Sequence, residues 1–445
     1  MASSTTTSIP RMRRRDLIRR VVSLLGLSAL ASACGLFDAK PSTVTATPVP
    51  GPITLAVRGA TLLDSGADRV TVLVAGSRIA DVLHGDPSLP AGVRVIDAGG
   101  LTAIPGLIDA HAHWRDWAAP LFLRYGVTTV RDVGSDPDAI LRVRDESKLD
   151  NWSGPRVIAH GPLLDGAPPI WVGWSGSVPL ASAEEATAVT SDLLKRGLDG
   201  LKVYAQLPLN RLRAVMDVAR ASGTPVAAHL GLVAARDAAA AGVRSIEHAS
   251  GVNYDGASRD LEELAKVVAN SGTFVVPTQL VMENFARLPK IGNASYPGLE
   301  LVSSDTRTAW LDWRNDFRLR SVPDAYFGPA EAQFARRALF LDPFRRAGGR
   351  LVAGSDTPNP FVVPGVSLHQ ELEQLVRLGF TPSDAIRSAT SVAAELIGRP
   401  DLGLIARGKT ADIVLVAGDP RADVVAARNV RLVVRGGVVA YEAVP

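Results

Sequence analysis

Apolar residues recur along this chain in two rhythms. From Ile53 to Ile104, short β-rich runs (Thr54–Val57, Thr71–Val74 and Val93–Ile96) alternate with Gly, Asp and Pro turns, which predicts antiparallel sheet. The same rhythm returns at the other end in Asp412–Val416, Val430–Val434 and Gly437–Tyr441. Between them, from Leu107 to about Gly398, apolar runs alternate with helical stretches, the pattern of a parallel α/β fold. Eight strands can be placed there, ending near His113, Asp132, Gly161, Tyr204, His229, His248, Gln279 and Asp356. Most of these endings are polar. Thr381-Pro-Ser-Asp384 predicts a helix start, with a cap, a first-turn Pro and an acidic third position, and Gly398 predicts its close.

One apolar run ends abruptly in two histidines: Ile104 to Trp114 reads I-P-G-L-I-D-A-H-A-H-W. Residues two apart on a strand point to the same face, so His111 and His113 offer adjacent imidazoles, half of a metal site. An isolated H-x-H is more often a surface pair, so the rest of the chain must decide. Gly200-Leu-Lys-Val-Tyr204 places Lys202 inside an apolar strand, where an unpaired ammonium is costly and something must compensate it. Pro225-Val-Ala-Ala-His229 and Ser245-Ile-Glu-His248 each end an apolar run in histidine, and Ala353-Gly-Ser-Asp356 ends one in a carboxylate. Singly, each has an ordinary structural explanation; a buried ion pair would serve for Lys202 and core packing for either histidine.

Together, in the order H-x-H, Lys, His, His, Asp, these residues resemble the amidohydrolase superfamily, closest to its imidazolonepropionase-like and prolidase-like group. The resemblance spans about Pro52 to Ala443. It implies an α/β fold: a (β/α)₈ TIM-type barrel over 105–404, beside a small β-sandwich built from both chain ends, 53–104 plus 405–445. In such a barrel the active site lies at the C-terminal ends of the strands, where the polar endings fall. The resemblance further implies two divalent metal ions, zinc, with His111, His113 and Asp356 holding one, His229 and His248 the other. Lys202, carboxylated by CO₂, would bridge them. The two ions would share a water and lower its pKa, while Asp356 takes and relays its proton. Hydrolysis of an amide or peptide C–N bond in a small-molecule, dipeptide-like substrate follows; cyclic amide, ester, lactone or carbamate hydrolysis uses the same centre. A one-metal deaminase-like site is the rival within the superfamily, against which Lys202 argues. A barrel that has lost catalysis and binds a small ligand or partner is the rival outside it, against which the six ligand positions argue.

Two residues near the ligands are candidates for substrate contact. Tyr204 shares a strand face with Lys202, and His160 ends the third strand region, in reach of a carbonyl. The Pro/Gly/Trp loop Asp165–Leu180 carries Trp171 and Trp174, which could wall an apolar pocket or anchor the loop. It lacks the Gly-His-containing stretch usual in prolidase-like dipeptidases. About seventy residues, 281–349, separate the seventh and eighth strands, far more than an ordinary loop. Trp310, Trp313, Arg314, Arg318, Arg320, Tyr326 and Phe327 predict a helical insertion there, a partial lid whose arginines would pair with an anionic substrate. His84, beside Gly-Asp-Pro, reads as a turn histidine and His369 as structural.

Composition alters this picture at the N-terminus. The formal charge is +3, but residues 1–33 hold six Arg against Asp16 alone, which leaves the rest of the chain at −2 and without the basic stripe that nucleic-acid binding needs. Those residues read as an export signal: an Arg-rich segment with a twin-arginine-like Arg14-Arg15-Asp16-Leu17-Ile18, then an apolar stretch from Val21 to Ala33. Cys34 is the single cysteine, so no disulfide can form within the chain. Leu30-Ala-Ser-Ala-Cys34 resembles a lipobox, implying lipid on Cys34 and attachment to a membrane surface. Ala31-Ser-Ala33 equally fits ordinary signal peptidase, and both enzymes would cut the same bond. Residues 34–52, rich in Pro, Thr and Val towards their end, read as a tether. An exported, extracytoplasmic location follows.

Overall fold

A computed structural model describes residues 51–253, 257–291, 296–312 and 327–444. The export signal, Cys34 and nearly all of the tether lie outside the described residues, as do Trp313, Arg314, Arg318, Arg320 and Tyr326 of the expected lid. The strands are β1 Leu55–Leu62, β2 Val70–Ala75, β3 Arg78–His84, β4 Arg94–Asp97, β5 Leu101–Pro105, β6 Leu107–Ala112, β7 Val127–Asp132, β8 Arg156–Ala159 and β9 Leu163–Gly166. They continue with β10 Ser177–Leu180, β11 Leu201–Val203, β12 Val226–Ala228, β13 Ser245–Glu247, β14 Phe274–Val276, β15 Ile413–Ala417, β16 Val430–Arg435 and β17 Val438–Glu442.

Strands from both ends of the chain form one sheet, in the order β17-β16-β15-β5-β1-β2-β3 with β4 on β1. The seam is the antiparallel pair β5–β15, which aligns Pro105 with Ile413 and Leu101 with Ala417. Leu55, Val57, Val72, Val74, Ile79, Ile413, Leu415 and Val434 pack together with their side chains buried. His84, expected in a turn, instead closes β3 opposite Val70. Strand β3 escaped prediction because it carries Arg78, Asp81 and His84 among its apolar residues and is only partly buried.

The central region is parallel. β6-β7-β8 form one ladder and β10-β9-β11-β12-β13-β14 another. Burial on both faces explains why these strands read as nearly continuous apolar runs. Between the ladders, the Asp199 N–H donates to the Ala159 carbonyl (2.9 Å). On the far side, residues 350–357 join both neighbours: Val275 and Val352 N–H groups bond across to Arg350 and Val275 carbonyls, and Asp356 and His113 N–H groups to His111 and Thr357 carbonyls. The eighth element is therefore held by isolated bridges, Val275 to Leu351 and Ala112 to Thr357, instead of a continuous ladder. These parallel strands fit a TIM-type barrel.

Helices follow the strands, and their starts are legible. Ser182 caps the helix Ala183–Lys195, and Asp136 caps Pro137–Glu146. Thr381 accepts the Asp384 N–H as predicted, but the helix it opens ends at Ser388; a second, Ser391–Leu396, precedes Gly398. Thr390 breaks the run with ψ −96° while its hydroxyl bonds back to the Ile386 carbonyl. The strands β9 and β10 were also not anticipated. Asp165 looks like a loop residue, yet its carboxylate is buried and accepts the N–H groups of Gly166, Ile170 and Gln206, tying the loop after β9 to the segment after β11.

Candidate metal centre

Each expected ligand lies at the C-terminal end of a parallel strand. His111 is in β6, with His113 just beyond it; Lys202 is in β11; His229 and His248 immediately follow β12 and β13; Asp356 closes the eighth element. The structure brings them into one cluster. His113 Nε2 lies 3.1 Å from Asp356 Oδ1, His111 Nε2 3.6 Å from the same oxygen, and His248 Nδ1 3.8 Å from Oδ2. The His111 and His248 ring centroids are 4.6 Å apart, those of His229 and His248 4.5 Å. Ligand atoms of His111, His248 and Asp356 all fall within 4.8 Å of one another.

The surroundings make the imidazoles of His111, His229 and His248 neutral. Burial pushes His111 and His248 well below the ordinary histidine value, Lys202 adding to the effect in both. Enclosure, then Lys202 and Arg337, takes His229 to about 3. A neutral imidazole keeps a lone pair for a cation. Which nitrogen offers it is set behind the site. His111 Nδ1 lies 2.6 Å from Glu247 Oε2, His113 Nδ1 3.1 Å from the Gly134 carbonyl, and His248 Nδ1 2.7 Å from Thr278 Oγ1. In His111 and His113 that leaves Nε2 facing Asp356; in His248, Nδ1 lies 3.8 Å from Asp356 Oδ2 but is engaged by Thr278, which leaves Nε2 as the nitrogen for a cation. Three imidazoles so oriented, with a carboxylate among them, are the donor set of a divalent metal site.

Lys202 is 1% exposed, and no hydrogen bond or ion pair of its ammonium is found among the described residues. Burial lowers it to about 8, against the opposing fields of Glu247 and Asp356. Tyr204 is half-buried, its ring 4.7 Å from that of His229. His160 is buried differently. Its Nδ1 meets the Leu201 carbonyl at 3.1 Å, and a Cβ on Gly200 would fall 2.4 Å from its Nε2, so both nitrogens face β11 and the ring joins that strand to the end of β8. Trp174 folds over Gly176 within its own loop, while Ile170 and Val172 are exposed beside the half-buried Trp171. His369 Nε2 reaches the Tyr125 carbonyl at 2.9 Å, a structural bond.

Backbone strain concentrates here. His248, Thr278 and Asp356 have φ of 61°, 44° and 62°, a left-handed conformation that costs a non-glycine residue roughly 1–3 kcal/mol. At His248 it has a clear use. Neighbouring residues on a strand point to opposite faces, but this turn lets Glu247 and His248 both serve the centre.

Sequence reasoning missed Glu247 and Arg131, which back the first ligand. Arg131 donates to both Glu247 oxygens (2.9 and 3.0 Å) and to Ser245 Oγ (3.0 Å), and both charged residues are at most 1% exposed. Burial alone would raise the Glu247 carboxyl, but Arg131, then Lys202 and the Ser245 hydroxyl, outweigh it and hold the group below its ordinary value. The signal was present: a charge inside an apolar strand, the argument applied to Lys202, applies equally to V-T-T-V-R131 and to S-I-E247. Arg337, at the end of the insertion, also reaches the centre, donating to the His248 carbonyl and to Met282 Sδ.

The sequence profile of the Amidohydrolase family matches residues 102–440, from β5 through β17. The chain belongs to the amidohydrolase family. Among solved structures, this amidohydrolase is similar to a Xaa-Pro dipeptidase with methionine in its active site (22% identity, 87% of this chain and 100% of that one, TM-score 0.70). It is likewise similar to a putative prolidase from Bifidobacterium longum (26% identity, 88% and 95%, TM-score 0.70). Among curated proteins it matches Adenine deaminase 2 of Rhizobium etli at 25% identity over 385 residues, 82% of this chain and 54% of that protein. Adenine deaminase 2 of Agrobacterium fabrum matches at 48% identity over only 54 residues, 9% of its length. The chain thus spans at most about half the length of these two curated relatives. The cluster of His111, His248 and Asp356 fits the metal binding of the family.

Proposed function

We propose that this amidohydrolase is an exported binuclear metal hydrolase that cleaves an amide or peptide C–N bond in a small substrate. The observation that carries the reading is the burial of Lys202, 1% exposed, within the electrostatic reach of His111, His229, His248 and Asp356. Its lowered pKa of about 8 leaves an appreciable fraction of neutral amine near pH 7, the form that adds CO₂. The resulting carbamate turns a costly cation into an anion able to bridge two metals. His111, His113 and Asp356 would hold one zinc, His229 and His248 the other. Bound there, the ions supply Lewis acidity and lower the pKa of a shared water.

The protein's own residues do the rest. Asp356 Oδ1, 3.1 Å from His113 Nε2, accepts the nucleophile's proton and returns it to the leaving nitrogen. Tyr204, at the rim beside His229, is placed to orient the scissile group, while His160 positions β11 and with it Lys202. Exposed Ile170 and Val172, with Trp171, offer an apolar wall on the side of the loop after β9. The strands are read as closing into the barrel, with the two-ended sheet as its sandwich. The prolidase-type likenesses support a dipeptide-like or N-acyl amino acid substrate. The curated deaminase matches support a second reading, hydrolytic deamination, which an ammonia-release assay on adenine separates from peptide cleavage. Residues 1–33 are read as the signal and Cys34 as the site of lipid attachment; labelling with a radioactive fatty acid, and its loss in Cys34→Ser, tests that.

The central test is metal analysis of the mature protein and of Lys202→Ala, both in bicarbonate. Two ions in the parent and a marked loss in the variant support the bridged centre. One ion unaffected by the substitution would replace it with a mononuclear site, and none would leave a binding protein.

A further inference from the structure

The helix Gln279–Arg287 begins in an unusual way. Thr278 occupies its N-cap position, where a threonine hydroxyl ordinarily accepts an N–H of the first turn. Here it makes no such bond. Its Oγ1 lies 2.7 Å from His248 Nδ1 instead, and its backbone is left-handed at φ 44°. The helix is capped from outside its own chain segment. Glu371, on the helix Val366–Arg377, accepts the Gln279 N–H through Oε1 (2.9 Å) and the Leu280 N–H through Oε2 (2.8 Å). Glu371 is fully buried, and burial pushes its carboxyl up to about 8. A buried carboxyl is a costly choice for capping a helix whose N-cap position is already held by a threonine.

We infer that Glu371 is a positioning residue for the metal ligand His248: by taking over the cap it frees the Thr278 hydroxyl to accept the Nδ1 proton, which leaves the Nε2 lone pair for the metal. The chain of contacts is continuous. Glu371 fixes the first turn of the helix, the first turn fixes Thr278, and Thr278 fixes the imidazole. The main chain of His248 is held separately, its N–H on the Val276 carbonyl (2.7 Å) and its own carbonyl by Arg337. The ring is thus the part that depends on Glu371.

This inference rests on His248 as a metal ligand, so the parent protein is analysed first. Chelator-competition titrations with Zn²⁺ would measure both affinities in the parent, Glu371→Ala, Glu371→Gln, Thr278→Val and Thr278→Ser, alongside the Tm of each metal-stripped protein. The expected result is a loss of about 10–100-fold in one of the two affinities for Glu371→Ala and for Thr278→Val, the size seen when support behind a ligand is removed. Thr278→Ser, which keeps the hydroxyl, should bind as the parent does. Glu371→Gln keeps one acceptor oxygen and should fall between. The double variant Glu371→Ala/Thr278→Val should lose little more than either single one, because both act through the same hydroxyl. A lower Tm in Glu371→Ala with both affinities unchanged would overturn the inference and leave Glu371 a structural cap. If Glu371→Ala does not fold, Glu371→Gln and the two Thr278 variants decide it by the same criterion. A parent that binds no zinc overturns the functional reading and this inference with it, an outcome distinct from a two-zinc parent whose variants are unaffected.

Discussion

Replacing Arg131 by methionine probes whether the first metal ligand stands on a buried ionic support. Arg131 and Glu247 are 1% and 0% exposed, and the guanidinium also binds Ser245 and the Ala110 carbonyl. Removing one partner of a buried pair strands the other charge and costs about 3–5 kcal/mol, well above the typical core substitution. The sign of its pH dependence separates this from lost packing. In the parent, the Glu247 carboxyl lies below its ordinary value, so its stabilisation is fully present above the unfolded-state value near 4.3 and fades as pH falls through the lower folded value. Without Arg131, burial is the largest remaining influence and raises the carboxyl, so the folded variant binds a proton and loses stability as pH rises above about 4.3. The gap between parent and variant should therefore be small near pH 4 and widen towards pH 7, at up to about 1.4 kcal/mol per pH unit. Urea unfolding of both metal-stripped proteins at half-unit steps from pH 4 to 7 measures it. A gap that stays constant across that range would show that Arg131 contributes packing only, and a gap below about 1 kcal/mol at pH 7 would refute the buried-pair argument.

Asp356→Asn should lower kcat by about 10²–10⁴-fold in peptide or N-acyl amino acid hydrolysis; a loss under tenfold would remove it as proton carrier. Gly134→Ala places a methyl 2.9 Å from His113 Cε1 and from Leu163 Cδ2, so it should cost about 1–3 kcal/mol and weaken metal retention, read by thermal melts and zinc analysis. Thr381→Ala removes the cap on Asp384, for about 1 kcal/mol of stability with kcat/KM unchanged; altered kinetics would tie this helix to the site.

The expected metal ligands were legible because each obeys a local rule that survives folding. An apolar run that must be buried on both faces, broken at its C-terminal end by histidine or aspartate, announces itself in one dimension: His111, His229, His248 and Asp356 were found so, and the buried position of Lys202 followed from the apolar residues on both sides of it. The helix starts at Thr381 and the strands near Val72 and Leu415 are likewise set by nearest neighbours. Elements carrying mixed residues were not legible. Strand β3 is half exposed, β9 carries Asp165, whose carboxylate meets the Gln206 N–H 41 residues away, and Thr390 splits a helix that the surrounding residues would continue.

What the chain by itself determined is therefore the inventory: which side chains end strands, and that a base, a carboxylate and four histidines must be accommodated in apolar surroundings. Only the tertiary structure decided how they are held. Glu247 stands behind His111 and Thr278 behind His248 across 136 and 30 residues, and Glu371 caps a helix 92 residues earlier. Those partners are chosen by distance in space, where a buried polar atom must find a hydrogen bond at the right length and angle. A strand's sequence records that such an atom exists; the fold alone supplies the atom that satisfies it.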